Sequence, residues 1–250
     1  MEQQAGRVLR TLSVREGSVS DFAAVLESDG GRFFCKGVAA ENAVGWMHRN
    51  EARVNAYLPA TVPRLRWQVE TDGWLLLGFA HVDGRHPDLA PGSPDLPVLA
   101  ATFSAMATAL TPCPPVNVQS AVARWADRVA PEAVDGDTLV HTDVTPYNFL
   151  LRGGDIAVVD WSMPCRGAAW IDAALMIVRL IRAGHTAEQA EAWAGQIPVW
   201  AAARPAAVDA FARGVAVLKK QRHEQRPAAA HLGPLADAAE LWARHRHSAR

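Results

Sequence analysis

The sequence predicts an α+β fold of two lobes: a small β-rich N-terminal one with a single helix, and a larger, mostly helical C-terminal one. Three observations predict it. Apolar runs separated by turns of Gly, Asp and Ser fill residues 7–38 and 64–77, the pattern of antiparallel hairpins. Four prolines fall within residues 85–97, a break that neither a helix nor a central strand tolerates. Beyond Leu96 apolar residues recur at helical spacing, interrupted by one strand–loop–hairpin segment at 139–160.

In chain order, the expected strands are 8–14, 22–26 and 32–38, with turns at 16–20 and at Ser28-Asp29-Gly30-Gly31. A helix over 41–58 follows, its apolar face read from Val44, Met47, Ala52, Val54 and Tyr57 and its end set by Pro59. Residues 64–70 and 74–77 make another hairpin across Thr71-Asp72-Gly73. The segment 78–84 then leads into the proline-rich stretch, so the lobes are expected to divide as 1–82 and 83–250. Further helices are expected at 99–110, 118–129, 172–183, 187–194, 206–223 and 228–245, and no internal repeat is visible.

Half of the 250 residues are hydrophobic and a fifth are charged, with a net charge of −1. That balance offers no reason to expect nucleic acid or an anionic membrane as the main partner. There is no charged-then-apolar leader and no apolar run approaching the length of a membrane span, so the expected location is the cytoplasm. Cys35, Cys113 and Cys165 are far apart with no C-x-x-C pair, which argues against a disulfide framework or a thiolate zinc site. The nine tryptophans are expected mostly in the core, because a large aromatic buries much area.

The stretch that carries chemistry runs from Leu139 to Asp160. It places His141, then Asp143, then Asn148 in a polar loop, and Asp160 twelve residues later at the end of an apolar run. Gly153-Gly154 between Leu151 and Ile156 reads as a hairpin turn, which would carry Asn148 before its first strand and Asp160 at the end of its second. Phosphoryl transfer from a nucleotide needs a carboxylate beside the acceptor hydroxyl, and an amide oxygen and a carboxylate on the magnesium ions. Asp143, Asn148 and Asp160 supply these groups in the order of the kinase template. An H-x-D by itself is as well explained by a turn with a buried His.

These residues resemble the aminoglycoside phosphotransferase and choline kinase family, the small-molecule branch of the protein-kinase-like fold. The family's H-x-D-x-x-x-x-N motif stands here as His141-Thr142-Asp143-Val144-Thr145-Pro146-Tyr147-Asn148, followed by Val158-Val159-Asp160. Arg166-Gly167-Ala168-Ala169-Trp170-Ile171-Asp172 looks like its Gly-then-Asp helix start. Thr142 departs from the Gly or Ser often found there, and Trp161-Ser162 replaces the Phe-Gly of protein kinases. The resemblance implies a bilobal protein-kinase-like fold with a nucleotide-binding N-terminal lobe ending in a hinge. The catalytic and metal-binding loops would lie in the C-terminal lobe. It implies that Lys36 contacts the nucleotide phosphates and that the turn holding Ser18 covers them, although that turn has one Gly rather than three. It also implies that the segment with Phe79 and His81 clamps the adenine through its backbone. Glu51, mid-helix, is the candidate partner of Lys36. Glu41 sits at the helix start, where the macrodipole explains an acid, and Arg49 or Arg53 could hold Glu51 on a solvated face instead.

The expected function is ATP-dependent phosphorylation of a small-molecule hydroxyl, with antibiotic resistance among the roles the resemblance suggests. In it Asp143 takes the hydroxyl proton and Asn148 and Asp160 hold Mg2+. His141 fixes the catalytic loop and Asp172 acts as a structural cap. The chain would work as a monomer or homodimer. Two rivals are a pseudokinase that binds nucleotide without transferring phosphate, and a metal-dependent hydrolase using His141, Asp143 and Asp160. The acceptor's charge is not legible: Glu188, Glu191, Asp209, Asp237 and Glu240 are interspersed with as many basic residues.

Overall fold

The computed structural model describes residues 2–14 and 20–248. It divides into two compact units, one made of 1–86 and 147–163, the other of 87–146 and 164–250. The expected boundary after residue 82 therefore shifts, and the hairpin holding Asn148 and Asp160 joins the first unit. Backbone pairing explains this. Arg85 and Leu151 exchange two hydrogen bonds at 3.1 and 2.7 Å, and His86 Nδ1 lies 3.2 Å from the Phe149 carbonyl oxygen.

The first unit is built on a five-stranded antiparallel sheet. Its strands are β1 (Val8–Ser13), β2 (Phe22–Ser28), β3 (Gly31–Ala39), β4 (Leu65–Thr71) and β5 (Trp74–Ala80), in the order β1-β2-β3-β5-β4. Asp72 and Gly73 both have positive φ, the backbone that a two-residue hairpin turn needs. Strand alternation sorts the side chains. Cys35, Ala24, Leu26 and Trp67 pack on one face, and Val38, Leu75, Leu77 and Phe79 on the other with Phe34 and Ala52. Lys36 pairs with Leu77 across β3 and β5, so it shares the second face, the one that helix Gly45–Asn55 covers. Gly78 belongs to β5 rather than to the expected hinge. A Cβ there would come within 2.0 Å of the Trp67 ring, so the close packing of that ring requires glycine.

The helix expected over 41–58 is shorter, Gly45–Asn55. Asn42 Oδ1 accepts the Val44 N–H and holds the preceding residues in a turn. Asn55 ends the helix by donating to the Pro63 carbonyl and accepting the Leu65 N–H.

The second unit is mostly helical: Asp95–Ala109, Ile171–Arg182, Ala187–Ala194, Pro205–Gln225 and Leu232–Ser248 are its main helices. Pro97 sits inside the first turn of the first of these, where a missing N–H costs nothing. The helix expected over 118–129 is largely absent. Gln119–Ser120 pairs in parallel with Cys165–Arg166, and Ser120 caps a short helix, Ala121–Arg124. Seven of the nine tryptophans are buried, and Trp46 and Trp74 are exposed. Trp170 packs edge-on against both Trp200 and Phe211, and Trp125 packs edge-on against Phe211 as well.

Candidate active site

In the first unit, the buried Lys36 ammonium lies 2.6 Å from Glu51 and 2.7 Å from Asp160. Arg49 and Arg53 engage Glu70 and Asn50 instead of Glu51, and Glu41 is exposed. The Trp161 N–H also donates to Glu51. Asn50 Nδ2, one residue earlier on the helix, donates to the Ser162 carbonyl at 2.9 Å. The helix is thereby tied to both residues after Asp160, and Asn50 is a positioning residue that sequence reasoning missed. Its signal was a polar amide on the helix face shared with Met47 and Val54.

The electrostatics follow from burial and proximity. Burial works against the Lys36 charge, but Glu51 and Asp160 together outweigh it and hold the ammonium protonated. Burial pushes Glu51 up to about 7, assisted by Asp160 and opposed by Lys36. His48, on the same helix, bonds Ser20 at 3.0 Å. Burial, then the Lys36 charge, push it down to about 4. Phe79 is buried in β5, its ring centroid 5.8 Å from Lys36 Nζ. The His81 N–H bonds the Arg32 carbonyl, and its ring lies 3.6 Å from Asp83. Burial, then Arg32, lower its pKa. Ser18 lies outside the described residues.

The hairpin Phe149–Arg152 and Asp155–Val158 turns at Gly153, which has φ +61°. Its ladder extends one step further, where Val159 N–H donates to the Asn148 carbonyl at 2.9 Å. That step brings Asn148 and Asp160 to the same end. Asp160 lies two residues past the strand and has φ +60°, a backbone uncommon outside glycine. Among the described residues no three His, Cys, Asp or Glu side chains form a metal cage. One carboxylate and one amide oxygen suit Mg2+, which commonly takes few protein oxygens and completes its shell with phosphates and water.

In the second unit, Asp172 accepts the N–H groups of His141 and Thr142, both at 2.8 Å. It was expected to be a structural cap supporting the site; Trp170 occupies the cap position of the helix, and the Asp172 carboxylate holds the loop thirty residues back. Burial raises its pKa, against the pull of His141 and the two N–H groups. His141 is fully buried and its Nδ1 accepts the Asp143 N–H at 3.2 Å. Thr142 has φ +66°. That is why Gly would suit this position, and the two bonds from Asp172 hold a β-branched residue there. Arg179 Nε donates to the Val144 carbonyl at 2.7 Å. Asp143 is thus presented on a loop pinned from both sides.

Residues 6–206 match the phosphotransferase enzyme family. The chain belongs to that family. A search of curated proteins finds no match. Among solved structures, a thermostable variant of the aminoglycoside phosphotransferase APH(4)-Ia, bound to AMP-PNP and hygromycin B, is 16% identical. The similarity covers 96% of each chain at a TM-score of 0.64. An aminoglycoside phosphotransferase from Alicyclobacillus acidocaldarius is 11% identical over 96% of this chain and 92% of its own, at a TM-score of 0.60. Choline kinase LicA from Streptococcus pneumoniae is 10% identical over 96% of each, at 0.58. These phosphotransferase relatives share the fold, α+β and protein-kinase-like. No helix among the described residues is long and apolar enough to cross a membrane.

Proposed function

We propose that this phosphotransferase moves the γ-phosphate of ATP to a hydroxyl of a small molecule, in the cytoplasm. The observation that carries the reading is the Lys36 ammonium bracketed by Glu51 and Asp160, on the unit that also holds Asn148. Lys36 binds the nucleotide phosphates, and Glu51 and Asn50 keep it and the 160–162 turn in place. The segment with Phe79 and His81 completes the nucleotide side. Asn148 and Asp160 would hold Mg2+, which when bound neutralises charge on the β- and γ-phosphates. In the second unit the Asp143 carboxylate orients the acceptor hydroxyl and takes its proton. The acceptor oxygen bonds to the γ-phosphorus while the bond to the β-phosphate oxygen breaks, leaving ADP. Nucleotide in relatives of the same fold, AMP-PNP in one and ADP in another, supports this assignment of the first unit.

Two variants test it together. Asp143→Asn should keep the thermal stabilisation by Mg-ATP and lose turnover by about 10²–10⁴-fold, the range of a positioned acid or base. Asp160→Asn should lose turnover and also weaken magnesium-dependent nucleotide binding. Turnover is read as mass-shifted product across a panel of hydroxylated compounds. A stable Asp143→Asn protein with undiminished turnover would end the reading.

A further inference from the structure

Two residues just before β2 are fixed by side-chain bonds. The Asp21 carboxylate accepts the Ala39 N–H and the Asn42 side-chain amide, both at 3.0 Å. Ser20 Oγ lies 3.0 Å from His48 Nε2. Ser20 is half-buried, whereas His48 is only 2% exposed. The other nitrogen of that ring, Nδ1, is buried and makes no hydrogen bond among the described residues; the Val44 carbonyl, one helical turn back, faces it. A lone pair on Nδ1 would oppose that carbonyl, so the ring proton is assigned to Nδ1 and the acceptor role to Nε2. The ring is neutral, because burial and then the Lys36 charge hold its pKa at about 4. The Ser20 hydroxyl therefore donates to His48, and its oxygen lone pairs are turned away from the ring. A hydroxyl within reach of a base, the base itself oriented by a third group, is the arrangement of an activated nucleophile.

Two independent sets of contacts set this pair near Lys36. His48 and Glu51 are both buried and three residues apart on one helix, so they are neighbours on its surface. Glu51 in turn lies 2.6 Å from the Lys36 ammonium. Along the sheet, Ala23 pairs with Lys36, and Ser20 is three residues from Ala23, about 10 Å in the strand direction. A triphosphate gripped by Lys36 largely spans that distance. Neither Ser20 nor His48 has a part in the transfer to a small molecule described above.

We propose that Ser20 is a self-phosphorylation site: with no acceptor bound, its hydroxyl, held by His48, takes the γ-phosphate of ATP bound to the same chain. This rests on the phosphotransferase reading above and adds a second acceptor to it. Ser20 Oγ bonds to the γ-phosphorus as the bond to the β-phosphate oxygen breaks, ADP leaves, and the Ser20 proton passes to His48 Nε2 and on to water. A weak base suffices, since the departing bond is largely broken before the proton must move.

The test is incubation of the whole chain with Mg-ATP and no acceptor, then intact mass and fragmentation to locate the added phosphoryl group. A single group should appear on Ser20, at a rate per molecule independent of protein concentration. Ser20→Ala should stay unlabelled, and His48→Leu should label at least about 10²-fold more slowly, the lower end for a positioned base. Asp143→Asn should label like the parent, because the base here is His48. Each variant is first checked for a rise in melting temperature with Mg-AMP-PNP, and locating the label in the parent depends on no variant folding. Label on another residue, a rate that rises with protein concentration, or no label in a chain that Mg-AMP-PNP stabilises would overturn the proposal. So would unslowed labelling of His48→Leu or its loss in Asp143→Asn. Absence of any stabilisation by Mg-AMP-PNP would instead strike the phosphotransferase reading.

Discussion

Asp172→Asn is the most informative single change, because it touches the loop holding Asp143 without touching Asp143. The carboxylate is buried and accepts two backbone N–H groups at 2.8 Å each. Asparagine keeps one acceptor oxygen and replaces the other with a donor, so one of the two N–H groups faces an N–H inside the protein. Losing a charge-assisted bond costs about 1.5–3 kcal/mol. Removing a carboxylate that burial already destabilises returns part of that. A net loss of about 2 kcal/mol lowers the melting temperature of a chain of this length by about 4–8 °C. The loop should also move. Thr142 sits at φ +66°, a conformation costing a non-glycine residue about 1–2 kcal/mol, and with one brace gone it has reason to relax. Asp143, whose N–H is bonded to His141, would be displaced with it. A misplacement of about 1 Å can cost about 10² in rate. Melting curves and turnover on the same protein measure both effects. A variant that melts within about 1 °C of the parent with unchanged turnover would refute the bracing role.

Glu51→Gln should raise KM for ATP, since Lys36 then keeps only Asp160. Because the folded pKa of Glu51 is raised, to about 7, its contribution to stability is present below its unfolded pKa and lost as pH rises through about 7. The parent should therefore lose ground to this variant in melting temperature between about pH 5 and 8; a constant difference would contradict it. His48 has the opposite sign. Its folded pKa is lowered to about 4, so its contribution is present above an unfolded pKa near 6.5 and lost as pH falls through about 4. Relative to His48→Gln, the parent should lose up to about 3 kcal/mol over that window, checked by chemical denaturation at pH 4 and 7.

Local chemistry made much of this chain legible. Asp72-Gly73 and Gly153-Gly154 announce their hairpins because positive φ is cheap for such residues, and the turns stand where expected. Strand alternation puts Lys36 on a face with Phe34 and Val38, and helical spacing brings Glu51 to meet it. The spacing of His141, Asp143, Asn148 and Asp160 pointed to the candidate site without any contact being known. What lay beyond reach depends on partners distant in the chain. The helix expected over 118–129 gives way because Gln119–Ser120 pairs with residues 165–166, which no local window contains. Asp172 reads as a helix cap until the loop thirty residues earlier is folded against it. The hairpin of Asn148 and Asp160 joins the first unit through Arg85 and Leu151. The charge of the C-terminal helices was the least legible of all, because composition counts acids and bases but not which of them meet. Arg246 closes around Glu191 and Asp209. A charge acts over a few ångströms of space, so only the tertiary structure could decide which carboxylates were already spoken for.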